Sequence, residues 1–324
     1  MNTNSRPQTT HLEKLTDQFG VWQFFENGQI LKSEGYALDD SARALIVYLL
    51  YNKRDNANVC LSYLEKSLND DLFTGFFNEH REPIIYGSSQ DAHALAFWAL
   101  AYAKTQKFEI DRVQSLLDNL NKTILYESTY IRTQSYTLIA SSLLNDKEHA
   151  GSLANTIANQ FNESFNWFEP LLTYANAIIP YALLTYLEAF KIKDAHFEEV
   201  ILKSIQTLEK YMRIGVIPAP VGNRKWQQLD DTQRDIYGQQ PIDSAFMVLL
   251  LTKAHEYFQD ELYNTKAGEW MDWFYGNNIM KQNLITDEGA CADWIGDQVV
   301  STNYGSESTI VYLWAAKEYS KINS

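Results

Sequence analysis

The sequence predicts an all-α protein, an (α/α)6 toroid of six helical hairpins in which inner helices are wrapped by outer ones. Three observations carry that expectation. Six times along the 324 residues a short polar opening precedes a mostly apolar run, at Tyr36–Asp40, Ser88–Asp91, Arg132–Gln134, Thr173–Asn176, Gln239–Asp243 and Asn303–Glu307. The runs are apolar all round, as interior helices are, whereas the segments between them are amphipathic. Their starts are separated by about 50, 42, 44, 66 and 63 residues, the span of a helical hairpin with its loop.

Inner helices are therefore expected at 39–53, 89–104, 131–144, 175–190, 241–257 and 304–320. Outer helices are expected at 56–69, 110–121, 147–162, 195–213 and 261–275, with 8–19 as the sixth outer partner that closes the ring. Asp111 and the Asn145-Asp146 pair stand where N-caps belong. A turn or hairpin is expected near Glu79–Tyr86. The Pro- and Gly-bearing segment Ile217–Asn223 opens a long polar connection to Tyr237, and a structureless loop of that length inside a compact domain is usually functional. No Ser/Gly-rich or low-complexity linker divides the chain, so residues 1–324 read as a single domain.

Composition narrows the chemistry. A hydrophobic fraction of 45% is ample for a core, and the net charge of −14 argues against phosphate-backbone or anionic-membrane partners. The longest apolar runs, Ala44–Tyr51 and Ala245–Leu251, are too short to cross a bilayer. Met1–Gly20 lacks the apolar core of a secretory signal, so a cytoplasmic location is expected. Cys60 and Cys291 lie far apart, and the six histidines include no pair at helical metal-ligand spacing, so neither metal nor cofactor is expected. The phosphate loop, the dinucleotide fingerprint and the nucleophile elbow are all missing from the sequence. Carboxylates are what remains for catalysis. Of the 8 Trp, 20 Tyr and 16 Phe, most fill a core, and the remainder can stack on sugar rings.

The helix starts would gather at one mouth, where their positive dipole ends favour carboxylates. Only one of Asp39 and Asp40 can be an N-cap. Arg43, three residues after Asp40, can hold its carboxylate; a carboxylate so held has a low pKa and suits a base better than an acid. Gln240 precedes a proline suited to a first helical turn, and Asp243 falls in that turn. Glu307 is either a capping-box partner or an acid facing the mouth. Trp167, Glu169 and Tyr174 bring aromatic platforms and an acid to the start of the fourth inner run, with Trp226 and Trp294 as further platforms. The pool expected to hold the catalytic pair is Asp40, Asp91, Asp243 and Glu307. The sugar-holding shell is Tyr36, Asp39, Arg43, Trp167, Glu169, Tyr174, Asn176, Trp226 and Gln240. Asp40, Asp243 and Glu307 are expected to line a common pocket, unless they merely cap their own helices.

The segment Gly35-Tyr36-Ala37-Leu38-Asp39-Asp40-Ser41-Ala42-Arg43-Ala44-Leu45-Ile46 resembles the Gly-Tyr-x-x-Asp-Asp-Asn-Ala-Arg-Ala-Leu-Ile signature of a bacterial family of six-hairpin, glycosidase-like proteins. Trp167–Tyr174, Val221–Asn223, Gln239–Asp243 and Gly305–Thr309 match further motifs of that family in order. The resemblance implies an α/α toroid, an oligosaccharide as substrate or ligand, and a glycosyltransferase as partner, since such proteins occur alongside glycosyltransferases and mannoside phosphorylases. Two departures stand out. Ala175-Asn176-Ala177-Ile178-Ile179-Pro180 replaces Asp-Asn-Ala-Arg-Leu-Pro, which implies altered chemistry, a binding-only descendant, or an acid removed at position 175. Ser88–His93 keeps Asp91 but lacks the glutamate and arginine of Ser-Glu-Asp-x-x-Gly-Arg. The resulting expectation is a glycoside hydrolase working with two carboxylates. The alternatives are a non-catalytic glycan-binding or glycosyltransferase-partner module, and a polysaccharide lyase or epimerase with Tyr or His as base.

Overall fold

A computed structural model describes residues 7–84, 89–229 and 236–323. Its helices are α1 (Thr10–Leu15), α2 (Leu38–Leu50), α3 (Arg54–Ser67), α4 (Gln90–Thr105), α5 (Ile110–Asn119), the short α6 (Thr123–Tyr126), α7 (Ile131–Leu143), α8 (Lys147–Asn159), α9 (Ile178–Ala189), α10 (Ala195–Tyr211), α11 (Pro241–Phe258), α12 (Glu261–Asp272) and α13 (Ser306–Ile322). Helix α2 packs on α4, α4 on α7, α7 on α9, α9 on α11, α11 on α13, and α13 returns to α2. That closed cycle is the inner ring. Helices α3, α5, α8, α10 and α12 each pack on the inner helix before them, and α1 covers α13, so the architecture is an all-α (α/α)6 toroid.

The difference between the layers follows from composition. In α2 every residue from Leu38 to Leu49 except Asp39 is buried, because the helix has neighbours on all sides. Outer helix α3 buries Ala57, Cys60, Leu61 and Leu64, the i, i+3, i+4, i+7 stripe of a one-faced helix. The middle of the ring is filled by aromatics: Trp98 packs on Tyr136 at 5.9 Å and on Trp314 at 4.9 Å between ring centroids, and Phe246 meets Trp314 edge-on.

Short loops and strands build the mouth over the inner-helix starts. The N-terminal segment closes the ring: Tyr304 N–H donates to the Phe25 carbonyl at 2.8 Å and Ser306 N–H to that of Gln23 at 2.9 Å. Gly305, the N-cap of α13, lies so close to Gln23 that an added Cβ would stand 2.7 Å from its carbonyl oxygen. Gly35 sits at φ +65°, and a Cβ there would collide with the Phe77 carbonyl. Both contacts allow the chain to enter α13 and α2 at close range. After Gly35, Tyr36–Ala37 pairs with Phe76–Phe77, which pairs with Pro83–Ile84.

Some details differ from the sequence expectation. Asp146 caps α8, accepting from His149 N–H, but the N-cap of α5 is Glu109 in a left-handed conformation, with Asp111 inside the first turn. The connection beginning at Ile217 is partly ordered into strands: Ile217–Pro218 pairs with Arg213–Ile214 and Gln227–Gln228 with Leu171–Leu172. Residues 230–235 of that connection, and residues 85–88 after the Glu79 turn, Ser88 included, lie outside the described residues. Among the described residues no helix is long and apolar enough to cross a membrane.

Candidate active site

Arg43 is the hub of the first cluster. Its Nη1 lies 3.1 Å from Asp39 Oδ2, 3.5 Å from Asp40 Oδ1 and 3.0 Å from Glu307 Oε1. The two aspartates come from the first turn of the same helix, at i,i+4 and i,i+3 spacing; the glutamate comes from the first turn of α13, at the other end of the chain. Neither aspartate caps α2, whose N-cap is Ala37. Asp40 instead accepts a hydrogen bond from Ser306 Oγ at 2.7 Å, across the α2–α13 seam. Arg43 and Asp40 are buried, whereas the Glu307 and Asp39 side chains remain 36% and 31% exposed and face the mouth.

Three carboxylates share one guanidinium here. Burial pushes Asp40 well above the usual carboxylate range, and the neighbouring Asp39 and Glu307 charges push it further, against the pull of Arg43. The expectation of a depressed Asp40 is therefore corrected: desolvation and like charge outweigh the single cation. Glu307 is raised for the same first reason, with Arg43 opposing. Next to it, Asp293 accepts from Ser308 Oγ at 2.5 Å and from Asn303 Nδ2 at 3.1 Å, and burial raises its pKa as well. Burial and mutual repulsion thus favour the protonated forms of Asp40 and Glu307, against the pull of Arg43.

Arg132, from the first turn of α7, organises the second cluster. Its Nη1 bonds Glu169 at 2.9 Å, its Nη2 bonds Thr173 Oγ1 at 2.5 Å, and its Nε donates to the Tyr174 carbonyl at 2.7 Å. The guanidinium also lies over the Tyr174 ring at 4.7 Å. Asp91 accepts from the Tyr174 hydroxyl at 2.6 Å and from Thr133 at 2.5 Å. Tyr174 joins the two clusters, since its phenol experiences the charges of Asp91, Arg132 and Arg43 together.

Asp243 lies deeper, only 2% exposed, beneath the 173–176 turn. It accepts from Asn176 Nδ2 at 3.4 Å, and the backbone at Asn176 and Ala175 favours its charged form. Burial lifts its pKa to about 7 despite those donors and Arg132. Thus Asp40, Asp243 and Glu307 all reach beyond their own helices, and none is a plain cap. Asp40 and Glu307 meet at Arg43, while Asp243 supports the turn that carries Tyr174. Ala175 is fully buried at φ +48°, so its side chain does not open on the mouth.

The other expected residues divide by exposure. Asn176 is buried and bonds Thr173, Arg132 and Asp243. Trp226 is half-buried, 6.4 Å from the Tyr174 ring, and Gln240 is the half-buried N-cap of α11. Two members of the expected sugar shell are corrected. Tyr36 is buried under Trp22 and bonds Asp17, and Trp167 is buried against Phe168, so neither ring offers a face to a ligand. His93 is buried, its Nε2 is 3.0 Å from the Phe73 carbonyl, and burial lowers its pKa. Among the described residues no group of three or more His, Cys, Asp or Glu is arranged to hold a metal ion. Sequence reasoning placed none of Arg132, Thr133, Ser306 and Asp293 in the catalytic pool or the sugar-holding shell, and considered Arg132 only for the basic cleft of a lyase. The signal for Arg132 was available: like Arg43, it is a cation in an apolar run just after a helix start.

No protein-family model and no curated protein sequence matches the chain. Solved structures do. A cellobiose 2-epimerase from Bacillus thermoamylovorans superposes with a TM-score of 0.73 at 12% identity, over 93% of this chain and 94% of that one. A D-mannose isomerase gives 0.68 at 12% identity, over 95% and 93%. A GH76 α-mannanase from Bacteroides thetaiotaomicron gives 0.65 at 10% identity, over 96% and 94%. At these identities the likeness is one of fold, and it places the chain, over nearly its whole length, among the (α/α)6 toroids.

Proposed function

We propose that the protein is a carbohydrate-active enzyme that hydrolyses a glycosidic bond of an oligosaccharide at the mouth of the ring. The observation that carries this reading is the Arg43 cluster, in which three carboxyl groups from two helix starts converge on one guanidinium nitrogen. Glu307 and Asp40 touch the same guanidinium nitrogen at 3.0 and 3.5 Å, and Asp39 touches it at 3.1 Å. The Glu307 and Asp39 oxygens therefore lie no more than 6.1 Å apart, short of the ~6.5–9.5 Å of inverting pairs and in keeping with the ~5–5.5 Å of retaining ones. Glu307, half-buried and raised in pKa, is the acid that gives its proton to the departing glycosidic oxygen. Asp39, half-buried on the same nitrogen, attacks the sugar carbon, and water then hydrolyses the glycosyl-enzyme with Glu307 as base. Asp40, Ser306 and Arg43 position that pair; Asp91 and Asp243 position Tyr174.

In this reading residues 1–324 act as a single domain, and a glycosyltransferase partner rests on the sequence resemblance alone. A second reading, epimerisation or isomerisation of a sugar, is favoured by the fold likeness to proteins with those activities. One experiment separates the two. The protein is incubated with mannose- and glucose-containing oligosaccharides and followed by proton NMR and anion-exchange chromatography. Hydrolysis yields two new fragments and a new reducing end; epimerisation yields an isomer of unchanged mass. Glu307→Gln should lower hydrolysis by about 10²- to 10⁴-fold, as removal of a general acid does. No new reducing end across the panel would overturn the hydrolase reading.

A further inference from the structure

Beside the Arg43 cluster, the starts of α4 and α7 and the 169–174 segment enclose a cavity of about 570 Å³. Its lining includes Asp91, Tyr130, Arg132, Gln160, Glu169 and Tyr174. We propose that this cavity is a second sugar subsite, built for an uncharged pyranose unit, so that the ligand is a neutral oligosaccharide and not a monosaccharide, a sugar phosphate or a uronate. The inference rests on the carbohydrate reading above but not on hydrolysis.

Two features argue for a sugar ring. Tyr130 and Tyr174 are 64% and 38% exposed, and both line this one cavity. Aromatic side chains left in water at a polar pocket offer flat apolar faces with a polar tip, the match for a pyranose whose ring carbons and hydroxyls lie on different surfaces. The Tyr174 ring is also fixed in place, by Asp91 at its hydroxyl and Arg132 at its face. A platform held before the ligand arrives loses little entropy on binding.

The charges argue for a neutral ligand. Arg132 is the one cation among the described lining residues, and four of its five N–H donors already bond Glu169, Thr173, Asn176 and the Tyr174 carbonyl. Asp91 and Glu169 outnumber it, so a phosphate or uronate would meet net repulsion. The carboxylate oxygens that already accept one hydrogen bond keep further lone pairs for sugar hydroxyls.

The test is calorimetric titration of the full chain with mannose, glucose, their disaccharides and trisaccharides, and glucose 6-phosphate. The trisaccharide should bind at least about tenfold more tightly than the monosaccharide, and the phosphate ester should not gain. Tyr130→Ala, at an exposed position where the fold is not at stake, should reduce the trisaccharide-to-monosaccharide affinity ratio about tenfold. Tyr130→Phe should keep that ratio, because stacking needs the ring and not the hydroxyl. Equal affinities of monosaccharide and trisaccharide, or a ratio unmoved by Tyr130→Ala, would overturn the subsite. If the trisaccharide binds as described but is never cleaved, the hydrolase reading falls and the subsite stands. Absence of binding by every neutral sugar overturns both.

Discussion

Ser306 donates to Asp40 Oδ2 at 2.7 Å across a sequence separation of 266 residues, and the same seam brings Glu307 to Arg43. The first and last inner helices are thus joined by the residues that form the acid cluster, so closing the ring and assembling the site are one event. Ser306→Ala should therefore disturb both. A buried hydrogen bond of this kind contributes about 0.5–1.5 kcal/mol, a loss readable in urea unfolding. The pH profile of any turnover should shift upward, because Ser306 is a donor that lowers the Asp40 pKa.

Removing the hub should be worse than removing a spoke. Arg43→Ala leaves the buried Asp40 without its cation, a change that costs about 3–5 kcal/mol at neutral pH. Part of that loss should return as the pH is lowered, because burial makes Asp40 and Glu307 take up protons more readily than ordinary carboxylates. A loss that is the same at neutral and at lower pH would argue against electrostatics as its cause.

Asp243 predicts a pH-dependent stability. Its folded pKa of about 7 lies above its unfolded value, so the native state holds a proton that the unfolded chain has already released. Stability should therefore fall as pH rises from about 4 to 7, by at most ~1.4 kcal/mol per pH unit for this group, and level off above. Asp40 and Glu307 act in the same direction. The informative quantity is the difference from Asp243→Asn, which should show a shallower slope over that window in urea titrations.

Position 175 tests the idea of a lost acid. Ala175 occupies a left-handed conformation and is fully buried, and its backbone favours the charged form of Asp243. Ala175→Gly should be neutral or stabilising by up to ~1 kcal/mol, because the left-handed region penalises a Cβ. Ala175→Asp should destabilise the protein at neutral pH, since a second buried carboxyl would stand near Asp243, and it should confer no new glycoside hydrolysis. A gain of hydrolysis in that variant would revive the lost-acid idea.

The helices were legible because their causes are local. An apolar run with a polar opening, Pro241 in a first turn, or an Asp39-Asp40-Arg43 spacing needs only neighbouring residues to be read, and the inner and outer spans were recovered to within a few residues. Ring closure was legible at one remove, through the repeat. What only the tertiary structure decided was which neighbours each side chain met. The pKa direction of Asp40 reversed chiefly through desolvation, which exists only in the closed ring, with Asp39 beside it in sequence and Glu307 from the far end of the chain adding to it against Arg43. Tyr36 and Trp167 look like sugar platforms as residue types, but an aromatic ring is equally suited to a core, and packing alone sends these two inward and leaves Tyr130 and Tyr174 in the open. Arg132 became a site residue because Glu169, Thr173 and Tyr174 arrive from another hairpin. Local periodicity determined the elements of this protein; burial and long-range charge, which exist only once the ring has closed, determined its site.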